Sequence, residues 1–372
     1  MVWDLKGVIA VIKGIVTFIP GITKFIQKTS GATIGSTSAR YCYSVWLRHL
    51  IIANKNGFIE HPKIVAELGP GDSLGIGFAA LISGADKYYG LDVIEFANNE
   101  SNEEMFDDLV ELFVKKTPIP DANEFPRLKP LLDSYEFPNY IFDDNYLEII
   151  LSKDRIDKIR SSIIPASNNE MDYIPIKYIV PWDDEKVILK NSVDMIISQA
   201  VLEHVNDIED SYVAMHKWLK PNGFMSHEID FKCHRIFSNW DCHWTCSDFI
   251  WKLIVGKRKY LLNRYSYSVH VNSLQKAGFK IICDIKNKSE STIKRKNLAK
   301  NFIKMPDDDM TTSEALILAT PTDSTTFIVV VSVYLYIFLL IVYAENYQRL
   351  LESTVGSFTL ERRDYQLYTA LN

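Results

Sequence analysis

Residues Ile64-Val65-Ala66-Glu67-Leu68-Gly69-Pro70-Gly71-Asp72-Ser73-Leu74-Gly75-Ile76-Gly77 constrain the fold more than any other stretch. A short apolar run ends in a glycine turn and passes straight into a second apolar run, which reads as strand, turn and helix. Gly69 and Gly71 leave the backbone open to a ligand and permit turn dihedrals that L-residues resist. Ser73 is placed to cap the new helix, whose free N–H groups and positive dipole end suit an anionic group. Roughly twenty residues on, Tyr88-Tyr89-Gly90-Leu91-Asp92 reads as a second strand with a carboxylate at its end, the geometry for holding a ribose diol. The two signals together point to a nucleoside cofactor.

A glycine turn followed by an acid is a weak signal for which cofactor that is. Gly69-Pro70-Gly71-Asp72-Ser73 departs from G-x-G-x-x-G, because Leu74 stands where the third glycine belongs, and Glu67 precedes the first glycine. Downstream come Ser192-Val193-Asp194-Met195-Ile196-Ile197-Ser198-Gln199-Ala200-Val201-Leu202-Glu203-His204-Val205 and Trp218-Leu219-Lys220-Pro221-Asn222-Gly223-Phe224-Met225. The set, in this order over residues 60–320, resembles class I S-adenosylmethionine-dependent methyltransferases of the type 11 group. The resemblance implies a doubly wound α/β fold with a seven-stranded, mostly parallel sheet of order 3-2-1-4-5-7-6. It implies S-adenosylmethionine as cofactor, with Glu67, Gly69 and Gly71 around the methionine end and Asp92 on the ribose. Gln199 and Ala200 would lie on the sulfonium side and Trp182 and Asp183 along the adenine, with Asp72, Ser73 and Val93 in the same site.

A chain of 372 residues with 47% apolar and 24% charged residues can bury a large core. Its net charge of −6 argues against a nucleic-acid binder, although residues 252–304 are locally basic and fit either a solvated face or an anionic acceptor. Cys42, Cys233, Cys242, Cys246 and Cys283 form no regular framework, which suits a reducing cytoplasm. The spacing of Cys233, Cys242 and Cys246 matches no usual structural zinc pattern, so no metal is expected.

Three regions are expected. Residues 1–59 read as a helical cover: an amphipathic segment over 5–27, then a helix capped by Ser36-Thr37-Ser38 with Tyr41, Val45 and His49 on one face. Arg40 and Tyr41 are candidates to reach the cofactor from there, or simply pack on the sheet edge. Residues 60–320 are the catalytic domain, interrupted by a proline-rich insertion over 117–171 that is a candidate substrate cap. Further strands are expected over 174–180, 193–198, 223–230, 278–285 and 315–319. Residues 321–372 form a tail whose run Phe327 to Ala344 is long enough to span a membrane, yet its basic residues follow the run and acids precede it. A cytoplasmic enzyme is expected, with membrane contact through the tail or the N-terminal helix left open.

The resemblance implies methyl transfer to a small polar acceptor, and relatives in glycan pathways suggest a sugar or nucleotide-sugar hydroxyl. An RNA substrate and a non-catalytic cofactor-binding scaffold are the alternatives. A hydroxyl acceptor calls for a base, which typically contributes roughly 10²–10⁴-fold. The segment from His227 to His243 leaves a central strand and carries His227, Asp230, His234, Asp241 and His243. His227 is the first candidate, with Asp230 and His204 beside it. His227 and Asp230 share a side only if the strand ends between them.

Overall fold

The computed structural model describes residues 4–19, 37–97, 102–163, 176–182, 184–258 and 261–322. The chain runs through α1 (Leu5–Val16), α2 (Ala39–Lys55), β1 (Ile64–Leu68), α3 (Gly75–Ile82), β2 (Lys87–Leu91) and α4 (Asn102–Val114). It continues through α5 (Asp144–Ile150), α6 (Lys153–Ile163), β3 (Ile176–Ile179), β4 (Val193–Gln199), α7 (Ile208–Trp218) and β5 (Leu219–Asp230). It closes with α8 (Asp248–Val255), α9 (Tyr267–Lys276), β6 (Phe279–Lys288), α10 (Asp307–Thr311) and β7 (Thr312–Pro321).

The strands form a seven-stranded sheet of order β3-β2-β1-β4-β5-β7-β6, as expected. β1 to β5 pair in parallel, and β7 enters antiparallel between β5 and β6. The strands alternate faces, so successive residues feed two separate cores. Val65, Met195, Ile197 and Phe224 face α2, α3 and α4. Ala66, Ile196, Met225 and Ile229 face α7 and α9. Both faces being covered, the central strands read as continuous apolar runs.

β5 starts earlier than expected. Leu219 pairs with Val193, but the next pair is Phe224 with Met195, so the expected Lys220-Pro221-Asn222-Gly223 turn survives as an irregularity within the strand. Ser38 caps α2 through its side chain, accepting from the Tyr41 N–H at 3.4 Å. α1 packs on α8, where a Cβ on Gly14 would fall 1.9 Å from the Leu253 carbonyl, and its buried Gly7 faces the Phe237 ring.

The insertion contains α5 and α6 and is strapped to α2. Buried Arg48 donates to the carbonyls of Pro120 and Pro130, Ser44 to that of Pro120, and Tyr43 to that of Thr117. Residues 164–171, the end of that region, lie outside the described residues, as do 20–36 and the 327–344 run. Among the described residues no helix is long and apolar enough to cross a membrane.

Candidate functional site

The turn between β1 and α3 is built as its glycines require. Gly69 has φ +63° and Gly71 φ +75°, both in the left-handed region that favours glycine. The Gly69 N–H donates to the Leu91 carbonyl at 2.8 Å, which pins the turn to the end of β2. Ser73 is not the helix cap that its position suggested. Leu74 takes that place without a side-chain bond, and the buried Ser73 hydroxyl accepts from Gly75 N–H at 3.2 Å. Asp72 is half-buried in the same turn.

Asp92 ends β2 at the mouth of the sheet. Its carboxylate accepts from the Val93 N–H at 3.0 Å, and Tyr178 donates to it from 3.4 Å. Burial raises its pKa to about 6, against hydrogen bonds from Val93, Gly71, Tyr178 and Ile94 that favour the ionised form. Glu67 lies beneath the turn, 2% exposed, and accepts from the Tyr88 hydroxyl at 2.6 Å. Burial raises its pKa to about 8, and the Asp92 charge adds to that.

An open cavity of about 730 Å³ lies over these strand ends, lined by Gly69, Asp92, Val93, Trp182, Val201 and His204 among others. Trp182 lines this cavity. Its N–H donates to the Asp92 carbonyl at 3.1 Å, and its ring meets Trp218 edge-on at 5.8 Å. Asp183 lies outside the described residues.

Gln199 and Ala200 close the end of β4. Ala200 has φ +52°, an uncommon conformation for a residue with a side chain, and its N–H donates to the Glu228 carbonyl at 3.0 Å. The Gln199 amide nitrogen donates to a Glu228 carboxyl oxygen at 3.0 Å, which turns its carbonyl oxygen toward His49 Nε2 at 3.2 Å. In that arrangement His49 donates from Nε2, and Nδ1 accepts from the Ser226 hydroxyl at 2.7 Å. Gln199 also donates to the Lys129 carbonyl of the insertion at 3.4 Å. Arg40, by contrast, is held away in an exposed ion pair with Glu124.

His227 is a correction. It sits mid-strand, 1% exposed, with Nδ1 against the Ser198 hydroxyl at 2.8 Å and its pKa pushed down to about 3, mainly by burial. β5 runs unbroken through Asp230, so alternation turns the two side chains to opposite faces. His227 is a core histidine facing α7 and α9, not a base at the open end of the sheet. His243 is buried likewise, with its pKa down to about 3.

The titratable groups at the open end are others. His234, just past β5 and in the left-handed region at φ 44°, places Nε2 3.3 Å from an Asp230 oxygen and 3.7 Å from a Glu203 oxygen. His204 lies with its ring centroid 5.2 Å from that of His234 and its Nδ1 2.8 Å from the Leu261 carbonyl. Glu203 is fully buried, and Asp230 and Glu228 nearby add to the burial that raises its pKa. Lys232 pairs with both Asp230, at 3.1 Å, and Glu314. Asp230, half-buried, is held below its ordinary carboxylate range by His234 and Lys232, against burial that raises it.

The sequence put His204, Asp230 and His234 in play, with Glu203 as a structural partner of His204, but missed Glu228 and His49 as parts of the site. His49 carried a signal, since it shares a helical face with Tyr41 and Val45. Glu228 carried one too, as an acid two residues before the end of an apolar strand.

Residues 166–226, from just ahead of β3 into β5, match the family model described as a methyltransferase domain. Among solved structures, the chain is similar to an S-adenosylmethionine-dependent methyltransferase from Mesorhizobium loti, with 14% identity over 70% of this chain and 92% of that one, TM-score 0.33. A putative sarcosine dimethylglycine methyltransferase from Galdieria sulphuraria shares 10% identity over 75% and 85% of the two chains, TM-score 0.38. Phosphoethanolamine N-methyltransferase 2 from Haemonchus contortus, in complex with S-adenosyl-L-methionine, shares 14% over 75% and 53%, TM-score 0.36. Likenesses at this level say nothing about the acceptor. No curated protein matches the chain in sequence.

Proposed function

We propose that this chain, a class I S-adenosylmethionine-dependent methyltransferase, transfers its methyl group to a hydroxyl of a small polar acceptor such as a sugar. The observation that carries the hydroxyl reading is the Asp230–His234 pair, set at the carboxyl end of β5 close to His204 on the wall of the cofactor cavity. An amine that is already neutral needs no such partner, whereas a hydroxyl must lose its proton as it attacks. The new O–C bond forms as the C–S bond breaks, and its electron pair goes to sulfur, which leaves as a neutral thioether. The hydroxyl proton passes to the Asp230–His234 pair. Gly69 and Gly71 make room for the cofactor, Asp92 takes the ribose, Val93 and Trp182 flank the adenine, and Gln199 and Ala200 close the sulfonium side. The same end of the sheet weighs against an acceptor that brings a phosphate close to the reacting end, because among the described residues the Asp230 and Glu314 carboxylates already pair with Lys232 and His234 there.

Titration of the full chain with S-adenosylmethionine by calorimetry tests the cofactor assignment. Saturable binding that Asp92→Ala weakens at least tenfold is the expected result, and a folded chain that binds nothing would overturn it. With binding established, His234→Ala is expected to lower kcat on sugar hydroxyls by 10²-fold or more and to leave cofactor affinity unchanged. Equal loss of cofactor affinity would make His234 a structural residue.

We also infer that α1 rests on an anionic membrane surface. The helix turns its small residues inward and leaves Leu5, Val8, Ile9, Ile12, Ile15 and the following Phe18 exposed. Lys6, Lys13, Lys252 and Lys257 are exposed on α1, α8 and the turn after it, and Lys257 lies 5.7 Å from the Phe18 ring. An apolar stripe with basic neighbours, on a chain of net charge −6, suits anionic lipid. Sedimentation with phosphatidylserine-containing vesicles is expected to carry down the wild type and at least tenfold less of an Ile9→Glu, Ile12→Glu variant. Equal sedimentation of the two would exclude α1 as the contact.

A further inference from the structure

Glu203 is the least accounted-for group among the described residues. Its residue is 2% exposed, and neither carboxyl oxygen has a hydrogen-bond partner among the described residues. A buried, unpartnered carboxylate costs several kinds of lost interaction at once and calls for an explanation. The backbone N–H groups of Glu203 and Asp230 favour its ionised form, but burial and the nearest acids, Asp230 and Glu228, outweigh them.

What does surround it is a set of metal donors. One ligand atom each from Glu203, His204 and His234 can be chosen so that all three lie within 4.8 Å of one another. Glu203 and His234 approach to 3.7 Å, close to the spacing of about 3.3 Å between two ligands that each sit ~2.0–2.1 Å from one tetrahedral ion. The His204 Nδ1 faces the Leu261 carbonyl at 2.8 Å, which places the proton on Nδ1 and the lone pair on Nε2. A backbone carbonyl on the far nitrogen is the usual support of a metal-bound imidazole.

We propose that Glu203, His204 and His234 bind a divalent transition-metal cation at the wall of the cofactor cavity. Two imidazoles and one carboxylate form a borderline donor set that suits zinc or manganese better than calcium or magnesium. Three protein ligands leave a position open for an outside oxygen, the pattern of a catalytic rather than a structural site. The cation supplies the positive charge that the carboxylates at the end of β5 lack. It also gives the hydroxyl acceptor a way to ionise near neutral pH, a consequence that rests on the hydroxyl reading above. With the ion bound, His234 holds metal rather than a proton, and the hydroxyl proton passes to Asp230, 3.3 Å from that imidazole. The cysteines Cys233, Cys242 and Cys246 take no part.

The test is calorimetric titration of the chelator-stripped full chain with Zn²⁺ and Mn²⁺. One equivalent should bind at least one of the two ions, and Glu203→Gln and His234→Ala should each weaken it at least tenfold. Glu203→Gln keeps the side chain's shape, and circular dichroism checks that both variants fold. Substitution with Co²⁺ should give a spectrum without a thiolate charge-transfer band. No uptake by the folded wild type, uptake unchanged in both variants, or a thiolate band would each overturn the proposal. Metal uptake with no turnover of hydroxyl acceptors would leave the site standing and remove the hydroxyl reading alone.

Discussion

Gly69→Ala is expected to leave a folded chain whose affinity for S-adenosylmethionine has fallen at least a hundredfold. Two effects coincide at this position. At φ +63° an L-residue is strained by roughly 1–2 kcal/mol. The added Cβ would also meet both Val201 methyl carbons at 2.7 Å, a separation that real Cβ atoms do not tolerate. Val201 lines the same cavity as Gly69, so whichever group moves, the cavity changes shape. Two factors of ten correspond to about 2.8 kcal/mol of lost binding, within reach of strain and displacement together. Gly57→Ala separates them. Gly57 has φ +95° but nothing within 4 Å of its missing Cβ, and it lies outside the cavity lining. That variant should lose stability and keep its affinity. Calorimetry beside thermal melts reads both, and a Gly69→Ala chain that binds normally would show that the turn does not contact the cofactor.

The cofactor-free chain is expected to be most stable on the acid side of neutrality, at about pH 5–6, and to melt lower at pH 8. Two sets of buried groups produce this, with opposite signs. Burial raises Glu67 to about 8 and Asp92 to about 6, and drives Glu203 and Glu228 upward as well. Burial lowers His49 to about 4 and His227, His243 and His270 to about 3. As pH falls from 8 toward 6.5, the folded chain takes up carboxyl protons that the unfolded chain does not, and stability rises. From there to about 4.5, the unfolded chain takes up protons on the four histidines while the folded chain keeps its carboxyl protons. The two contributions oppose each other and the curve flattens. Below about 4.5 the unfolded carboxylates are protonated too, and the histidine difference remains, joined by that of Asp230, which His234 and Lys232 hold below its ordinary range. Stability then falls steeply, each unmatched proton being worth about 1.4 kcal/mol per pH unit. Calorimetric melts from pH 3.5 to 8.5, without cofactor or metal, read the curve. A melting temperature that climbs steadily to pH 8 would mean that these carboxyls are ionised in the folded chain.

The frame of the molecule was legible because buried parallel strands leave little freedom in sequence. Val193 to Ser198 reads as a strand for the same reason that it packs as one, with Ile196 and Ile197 entering different cores. The glycine turn was legible because its backbone conformation excludes most other residues. The end of the site past β5 was not legible in the same way. His227 and Asp230 are three residues apart, and their opposite orientation depends on where β5 stops, which the pairing of Asp230 with Glu314 of β7 settles. His234 reaches Asp230 only because the chain turns back through two left-handed residues, His234 and Arg235, neither of them glycine. Nothing in the sequence marked Glu203 as buried, which it is because the short turn after β4 packs inward against β5.

Gln199 ties together pieces of chain that are remote in sequence. Its partners His49, Lys129 and Glu228 lie 150, 70 and 29 residues away, and His49 reaches Ser226 across 177 residues. Closing loops of that size costs entropy before any contact repays it. The end of the site around Gln199 is therefore among the last parts of the molecule to assemble, after the local strand–helix units that carry the glycine turn and Asp92. A ligand that needs both ends has nothing complete to hold until the chain is nearly native. Its stabilising effect then falls on the rate at which the finished molecule opens, while the rate at which the chain folds is left to topology.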